Sequence, residues 1–202
     1  MVASRAAQLR RIEREVENLS DTSLAKYRRQ EGYHPVVGRG DPEARLMLIG
    51  EAPGKQEALC GEPFVGAAGH MLDEMLKSVG LERDQIYITN ILKDRPPDNR
   101  PPQKEEIRLY TPFLRRQINI IQPRVIVTLG RFAMDFILAE FDMPEEGKNI
   151  TELHGKPLAA TASYGPIVVL PLFHPAVAFY RRDQKDILKR DFLNLREQME
   201  TG

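Results

Sequence analysis

The chain has a single cysteine, Cys60. An internal disulfide is therefore excluded, and so is any metal site built from several thiolates. There is no excess of either charge, with Lys plus Arg and Asp plus Glu at 29 each, so a surface for a polyanion has to be a local patch. No apolar run approaches the length of a membrane span, and the N-terminus is charged rather than signal-like. No membrane partner is expected, and the cytoplasm is the expected compartment. The chain lacks the Gly-Lys-Ser/Thr end of a phosphate-binding loop and the Gly-x-Gly-x-x-Gly pattern, which argues against a nucleotide triphosphatase. No second histidine stands at metal spacing to His174, which argues against zinc. With 202 residues, there is enough chain for one core of ordinary size, and a single domain over residues 1–202 is expected.

What is present is an alternation. Residues 2 to 30 read as an N-terminal helical segment, with Leu9, Ile12, Val16 and Leu19 at helical spacing. Four short apolar runs follow, Leu46–Ile49, Ile86–Thr89, Val125–Leu129 and Ile167–Leu170. The last three are rich in β-branched residues, as strands buried on both faces are. Helical patterns separate or follow them: Met71–Val79, Lys104–Ile121, Phe132–Leu138 and Asp186–Met199. Met143–Lys148 reads as a loop or insertion. Strands alternating with helices predict a parallel sheet with helices on both faces.

The chemically versatile residues fall just after the strands. Gly50-Glu51-Ala52-Pro53-Gly54 follows the first. Asn90 ends the second, with Lys93 to Pro102 behind it. Gly130-Arg131 follows the third, and His174-Pro175-Ala176 the fourth. In an open α/β sheet these four loops share one edge, where such sheets bind ligands.

Taken one at a time, each residue has an ordinary reading. Glu51 would be a solvated or capping carboxylate, Phe64 a core aromatic, Asn90 a turn or cap residue. His174 would be structural or exposed. The basic run Arg181, Arg182, Lys185, Lys189 and Arg190 would be a solvated helix face. Each also has a functional reading. An aromatic in a glycine-rich loop can stack on a flat ligand. An asparagine amide offers one donor and one acceptor, which suits a nucleobase edge. A histidine held by a following proline can donate to a developing anion. The basic run can contact phosphates.

Together these stretches match a known pattern. Gly50-Glu51-Ala52-Pro53-Gly54, Gly61-Glu62-Pro63-Phe64-Val65-Gly66-Ala67-Ala68-Gly69, Tyr87-Ile88-Thr89-Asn90, Arg95-Pro96-Pro97-Asp98-Asn99-Arg100 and His174-Pro175-Ala176 occur in order. The chain resembles the family 4 uracil-DNA glycosylases of the uracil-DNA glycosylase superfamily, from about Gly38 to the C-terminal helix. The resemblance implies a three-layer α/β/α sandwich with a four-stranded parallel central sheet. It implies hydrolysis of the N-glycosidic bond of uracil in DNA, initiating base excision repair. Uracil-containing DNA, single- or double-stranded, is the implied partner of a monomeric enzyme.

By the same resemblance, Gly50, Ala52, Phe64 and Asn90 would bind uracil, with Phe64 stacked on it and Asn90 reading its edge. Glu51, Asn99 and His174 would be catalytic. Arg100, Pro175, Tyr180, Arg181 and Arg182 would contact DNA. Typical members hold an iron–sulfur cluster on four cysteines. This chain has no cysteine before Cys60, and it has Asp94 and Tyr110 where the third and fourth ligands align. No cluster and no other metal cofactor are expected. Two competing functions are a non-catalytic uracil- or damage-recognising DNA-binding protein of the same fold, and a glycosylase of broader deaminated-base range.

Overall fold

A computed structural model describes residues 3–179 and 182–201. Its centre is a sheet of six strands in the order β1-β3-β2-β4-β6-β5. The strands are β1 (Arg39–Gly40), β2 (Leu46–Gly50), β3 (Tyr87–Asn90), β4 (Val125–Leu129), β5 (Leu158–Ala162) and β6 (Gly165–Leu172). The four inner strands are mutually parallel. The two edge strands run antiparallel to their neighbours.

The expected four-stranded sheet is thus the core of a six-stranded one. Neither edge strand carries an apolar run. β1 has two residues, and β5 is Leu-Ala-Ala-Thr-Ala with alternate positions exposed. An edge strand packed on one face needs no continuous hydrophobic stretch.

Side-chain alternation along each inner strand divides the interior in two. Leu46 and Leu48 of β2 join Ile88, Val125 and Val127 on one face. There they meet Leu72, Met75 and Leu76 of α4 (Ala67–Ser78) and Leu188, Phe192 and Leu195 of α8 (Arg182–Thr201). Met47 and Ile49 face the other way, with Tyr87 and Ile126. That face is covered by α1 (Arg5–Glu17), α5 (Lys104–Ile121) and α6 (Arg131–Glu140). The result is the expected α/β/α sandwich. Two short helices lie on the connections, α3 (Lys55–Cys60) after β2 and α7 (Ile150–Leu153) before β5.

The N-terminal segment is two helices rather than one. α1 stops at Asn18, and α2 runs Ser23–Glu31. The intervening Asn18, Ser20, Asp21 and Thr22 are residues that favour caps over helix interiors. Thr22 accepts the Ala25 amide at 3.0 Å as the cap of α2.

From β2 the chain steps outward to β3 and then back across β2 to β4. That reversal places a crevice at the carboxyl ends of β2 and β4, with α4 and α5 on opposite faces, as right-handed crossovers require. Among the described residues, no helix is long and apolar enough to cross a membrane.

Leu48 is fully buried in the middle of β2. Leu48→Ala is expected to lower the free energy of unfolding by about 2–5 kcal/mol, measured by urea denaturation.

Candidate active site at the carboxyl edge of the sheet

β2 and β3 end side by side, with Gly50 paired to Asn90. The closeness of this pair sets the geometry of the site. A Cβ on Gly50 would lie 2.3 Å from Asn90 Oδ1 and 2.7 Å from Phe64 Cζ. Only a glycine lets the amide and the aromatic ring converge there. The ladder continues past the strands, with Ile91 donating to Gly50 O at 2.9 Å and Leu92 to Glu51 O at 3.1 Å.

Phe64 reaches this point by an unusual backbone path. Its φ is 53°, which costs a bulky residue strain of order 1–3 kcal/mol. Two features hold it. A Cβ on Gly69 would lie 1.8 Å from Phe64 O, so α4 can start directly against the Phe64 carbonyl only because residue 69 is glycine. Arg83 donates to Phe64 O at 2.5 Å and to Pro63 O at 3.0 Å, and its Nε pairs with Asp73.

Glu57, on α3, is the third support. Its Oε1 accepts the amides of Val65 and Gly66 at 2.9 and 2.8 Å, which pins the glycine-rich loop to α3.

These side chains enclose a cavity of about 160 Å³ lined by Ala52, Gly54, Glu57, Phe64, Ala68, Asn90 and His174. Its walls are mostly apolar, and the polar groups are few and convergent, as in small-molecule sites generally. The His174 ring lies 5.9 Å from that of Phe64, tilted by 32°. His174 Nδ1 accepts the Ala176 amide at 3.3 Å. That hydrogen bond assigns the proton to Nε2. Burial holds the imidazole below its ordinary pKa, with Glu57 pulling weakly the other way. His174 is therefore a neutral donor at neutral pH.

The Asn90 side-chain amide opens onto the cavity and makes no hydrogen bond to another described residue. Its backbone is anchored from below. Lys93, fully buried, donates from Nζ to Asn90 O and Thr89 Oγ1 at 2.7 Å and to Gln117 Oε1 at 2.6 Å. Burial drives the Lys93 amine well below its ordinary pKa.

Glu51 stands beside this cavity without lining it. It is half-buried, and burial raises its carboxyl pKa, with Arg131 acting in the opposite sense.

The remaining predicted residues lie further out. Asn99 is exposed, outside the cavity wall, and its Oδ1 accepts Arg95 Nε at 2.8 Å. Asp98 and Asn99 both have φ near +50°, at 54° and 52°, a conformation that Asp and Asn adopt more readily than most residues. Arg100 forms a two-pronged pair with Glu106, so its guanidinium is partly committed inside the molecule. Pro175 is buried at the start of a 3-10 turn, Pro175–Phe179. Tyr180 and Arg181 lie outside the described residues, and Arg182 opens α8. Lys185, from the basic run, pairs with Glu74.

Sequence reasoning missed four contributors. Glu57 and Arg83 act through backbone atoms of other segments, which no local pattern reveals, and Lys93 holds the nearby Asn90 carbonyl only because the fold buries its amine against Gln117. Phe179 is 51% exposed at the end of the His174 turn, where an apolar residue on a binding loop was the available signal. Among the described residues, no three His, Cys, Asp or Glu side chains gather as a metal site.

An α/β sandwich with a small, aromatic-walled pocket at the carboxyl edge of its sheet defines a class, open α/β proteins that take a ligand at that edge. The comparisons narrow the class. Residues 37–196 match the family model described as the uracil DNA glycosylase superfamily. The chain is 43% identical over 190 residues to the type-4 uracil-DNA glycosylase of Sulfurisphaera tokodaii, covering 94% of this chain and 84% of that protein. It is 44% identical over 162 residues to the type-4 enzyme of Archaeoglobus fulgidus, covering 80% of each. A type-5 uracil-DNA glycosylase of Thermus thermophilus is more distant, 35% identical over 124 residues and about half of each chain. The chain belongs to the uracil-DNA glycosylase superfamily.

Two substitutions test the geometry. Gly50→Ala is expected to displace both Asn90 and Phe64, seen as shifted side-chain resonances of those two residues with the amide resonances of β4 unmoved. Arg83→Met removes the donors that hold Phe64, and should lower stability by about 1–3 kcal/mol in urea denaturation.

Proposed function

We propose that the protein hydrolyses the N-glycosidic bond of uracil in DNA, the first step of base excision repair, acting as a monomer in the cytoplasm. The observation that carries this reading is the convergence of Asn90, Phe64 and His174 on one cavity, with the Asn90 amide left unpaired. The relatives' names give the same activity for those proteins.

A uracil within a duplex is out of reach, so it must be extruded, at a cost of a few kcal/mol. Stacking on Phe64 returns about 1–3 kcal/mol. The exposed Phe179, on the turn after His174, suits the gap left in the duplex, where apolar wedges commonly insert. The neighbouring Tyr180, Arg181 and Arg182 would extend that contact to the backbone.

Inside the pocket, the Asn90 amide offers a donor and an acceptor to the uracil edge. Cytosine, with an amino group in place of a carbonyl, opposes it in hydrogen-bond sense. As the glycosidic bond breaks, the base leaves as an anion. His174 Nε2–H is the donor for it. The backbone amides of Ala52 and Gly54, which have no partner among the described residues, can add to this. Glu51, half-buried next to the lining residue Ala52, would orient water and oppose the positive charge developing on the sugar. Asn99, held by Arg95, is less directly placed, and Glu51 is the preferred residue for this role.

The test uses oligonucleotides carrying uracil, hypoxanthine or a thymine mismatch, with abasic sites cleaved by alkali. Cleavage at uracil is expected. Binding without cleavage at any of the three would replace this reading with a recognition protein. His174→Ala should lower kcat by about 10²–10³, the usual cost of one anion-stabilising donor. Asn90→Ala should lower kcat/KM and narrow the preference for uracil over cytosine.

The pH profile supplies a further check. Glu51 must be ionised to act, and burial raises its pKa above the ordinary carboxylate value of 4.5. Activity should therefore fall with decreasing pH along a limb centred above 4.5, and Glu51→Gln should abolish that limb.

A further inference from the structure

Deep between α2, α5 and the loop after β3 lies a second polar cluster, away from the pocket. Asp94 is completely buried. Arg28 Nη1 donates to its two oxygens at 2.8 and 3.1 Å, and the Tyr110 hydroxyl donates to Oδ2. Arg28 is 4% exposed and Tyr110 is fully buried. Arg28 Nη1 also donates to Val16 O at 3.2 Å, and Nη2 to Glu17 O and Leu19 O at 2.9 and 3.2 Å. These carbonyls belong to the end of α1 and the link to α2, where the helix end leaves acceptor capacity open; Val16 O also accepts the Leu19 amide and Leu19 O also accepts Arg29 Nη2. One network thus joins the α1–α2 link, α2, the post-β3 loop and α5.

Asp94 and Tyr110 are two of the positions at which the family resemblance places cluster-ligating cysteines. The residues present do not fit an iron–sulfur cluster, which is held by thiolates. Here a carboxylate and a guanidinium neutralise each other, and the carboxylate's acceptor sites are taken up by Arg28 and Tyr110. Cys60 is exposed on α3, in a different part of the fold.

The cluster's position along the chain gives it a consequence for the pocket. Asp94 sits between two residues that hold predicted site residues. Lys93 holds the Asn90 carbonyl. Arg95 holds Asn99 and reaches back to the hydroxyls of Tyr27 and Tyr33, both at 3.3 Å, with its guanidinium over the Tyr33 ring at 5.6 Å. Fixing residue 94 against Arg28 and Tyr110 therefore fixes both neighbours.

We propose that the buried Arg28–Asp94–Tyr110 network is a set of positioning residues that holds the segment from Asn90 to Asn99 in place without an iron–sulfur cluster. Replacing both charges by apolar groups could leave stability unchanged, whereas removing one alone leaves a buried charge unpaired. A network of this kind contributes specificity of position, and it is insensitive to oxidants.

The proposal is tested on the whole protein in three measurements. The first is iron and sulfide content after anaerobic purification from cells supplied with both. No cluster absorption and far less than stoichiometric iron are expected; stoichiometric iron and sulfide would overturn the proposal. The second is hydrogen exchange in Tyr110→Phe, which keeps the ring and its packing, alongside Asp94→Asn. The Asn99 and Arg100 amides, which bond to Pro96 O and Pro97 O, should exchange about tenfold faster in Tyr110→Phe, the scale of losing one hydrogen bond to a charged group, with β4 amides unchanged. Unchanged exchange at residues 99 and 100 would overturn it even if Asp94→Asn fails to fold. The third measurement rests on the glycosylase reading: Tyr110→Phe should lower kcat while leaving KM for uracil-containing DNA unchanged. An equal kcat would overturn the positioning role. A wild-type protein with no activity would count against the glycosylase reading alone, because the first two measurements do not depend on it.

Discussion

The site depends on one close approach. β2 and β3 terminate in register, and the last residue of β2 has no side chain. Into the space where a Cβ would stand come the Asn90 amide from one side and the Phe64 ring from another. Neither would hold that position alone. Phe64 is carried on a strained backbone, locked by Arg83 and by the start of α4. Asn90 is held through its carbonyl by a buried lysine. The pocket is therefore rigid because its supports are backbone hydrogen bonds and contacts that a larger side chain would destroy.

Around this point the buried charges are arranged in two ways. Asp94 is paired with Arg28, and Lys93 is given three acceptors but no carboxylate. The first arrangement keeps a charge in the interior by neutralising it; the second gives each ammonium proton an oxygen acceptor, while burial works against the charge. Both lie on the same short segment, and both fix backbone rather than face a ligand. Of the polar groups that line the cavity, His174 and Asn90 are neutral, and the Glu57 carboxylate is engaged by the amides of Val65 and Gly66. Neutral donors in such a pocket suit a reaction in which charge appears only at the transition state.

The fold was largely legible. The inner strands fall within two residues of the apolar runs, and α5 spans the residues its periodicity indicates. The split between α1 and α2 was not, although Asn18, Ser20, Asp21 and Thr22 carried the signal, because apolar spacing alone continues smoothly across the break. The edge strands were missed because a half-exposed alanine-rich strand has no pattern of its own. Of the site, Phe64, Asn90 and His174 were recognisable from their loops, and the structure brings all three to one cavity. Asn99 and Arg100 were recognisable too, but they face Arg95 and Glu106 instead.

What the sequence determined by itself was the alternation of strands and helices, the edge on which the loops would gather, and the chemistry available there. Hydrophobic period and loop position are local properties, and local properties survive in a linear string. What only the tertiary structure decided was which of those residues meet. That Glu57 pins the amides of residues 65 and 66, that Arg83 holds Phe64, and that Arg28 reaches Asp94 across 66 positions are consequences of packing. At Gly50 the two levels join. The sequence shows a glycine at the end of a strand, and the fold supplies the reason: an amide and an aromatic ring occupy the space a side chain would need.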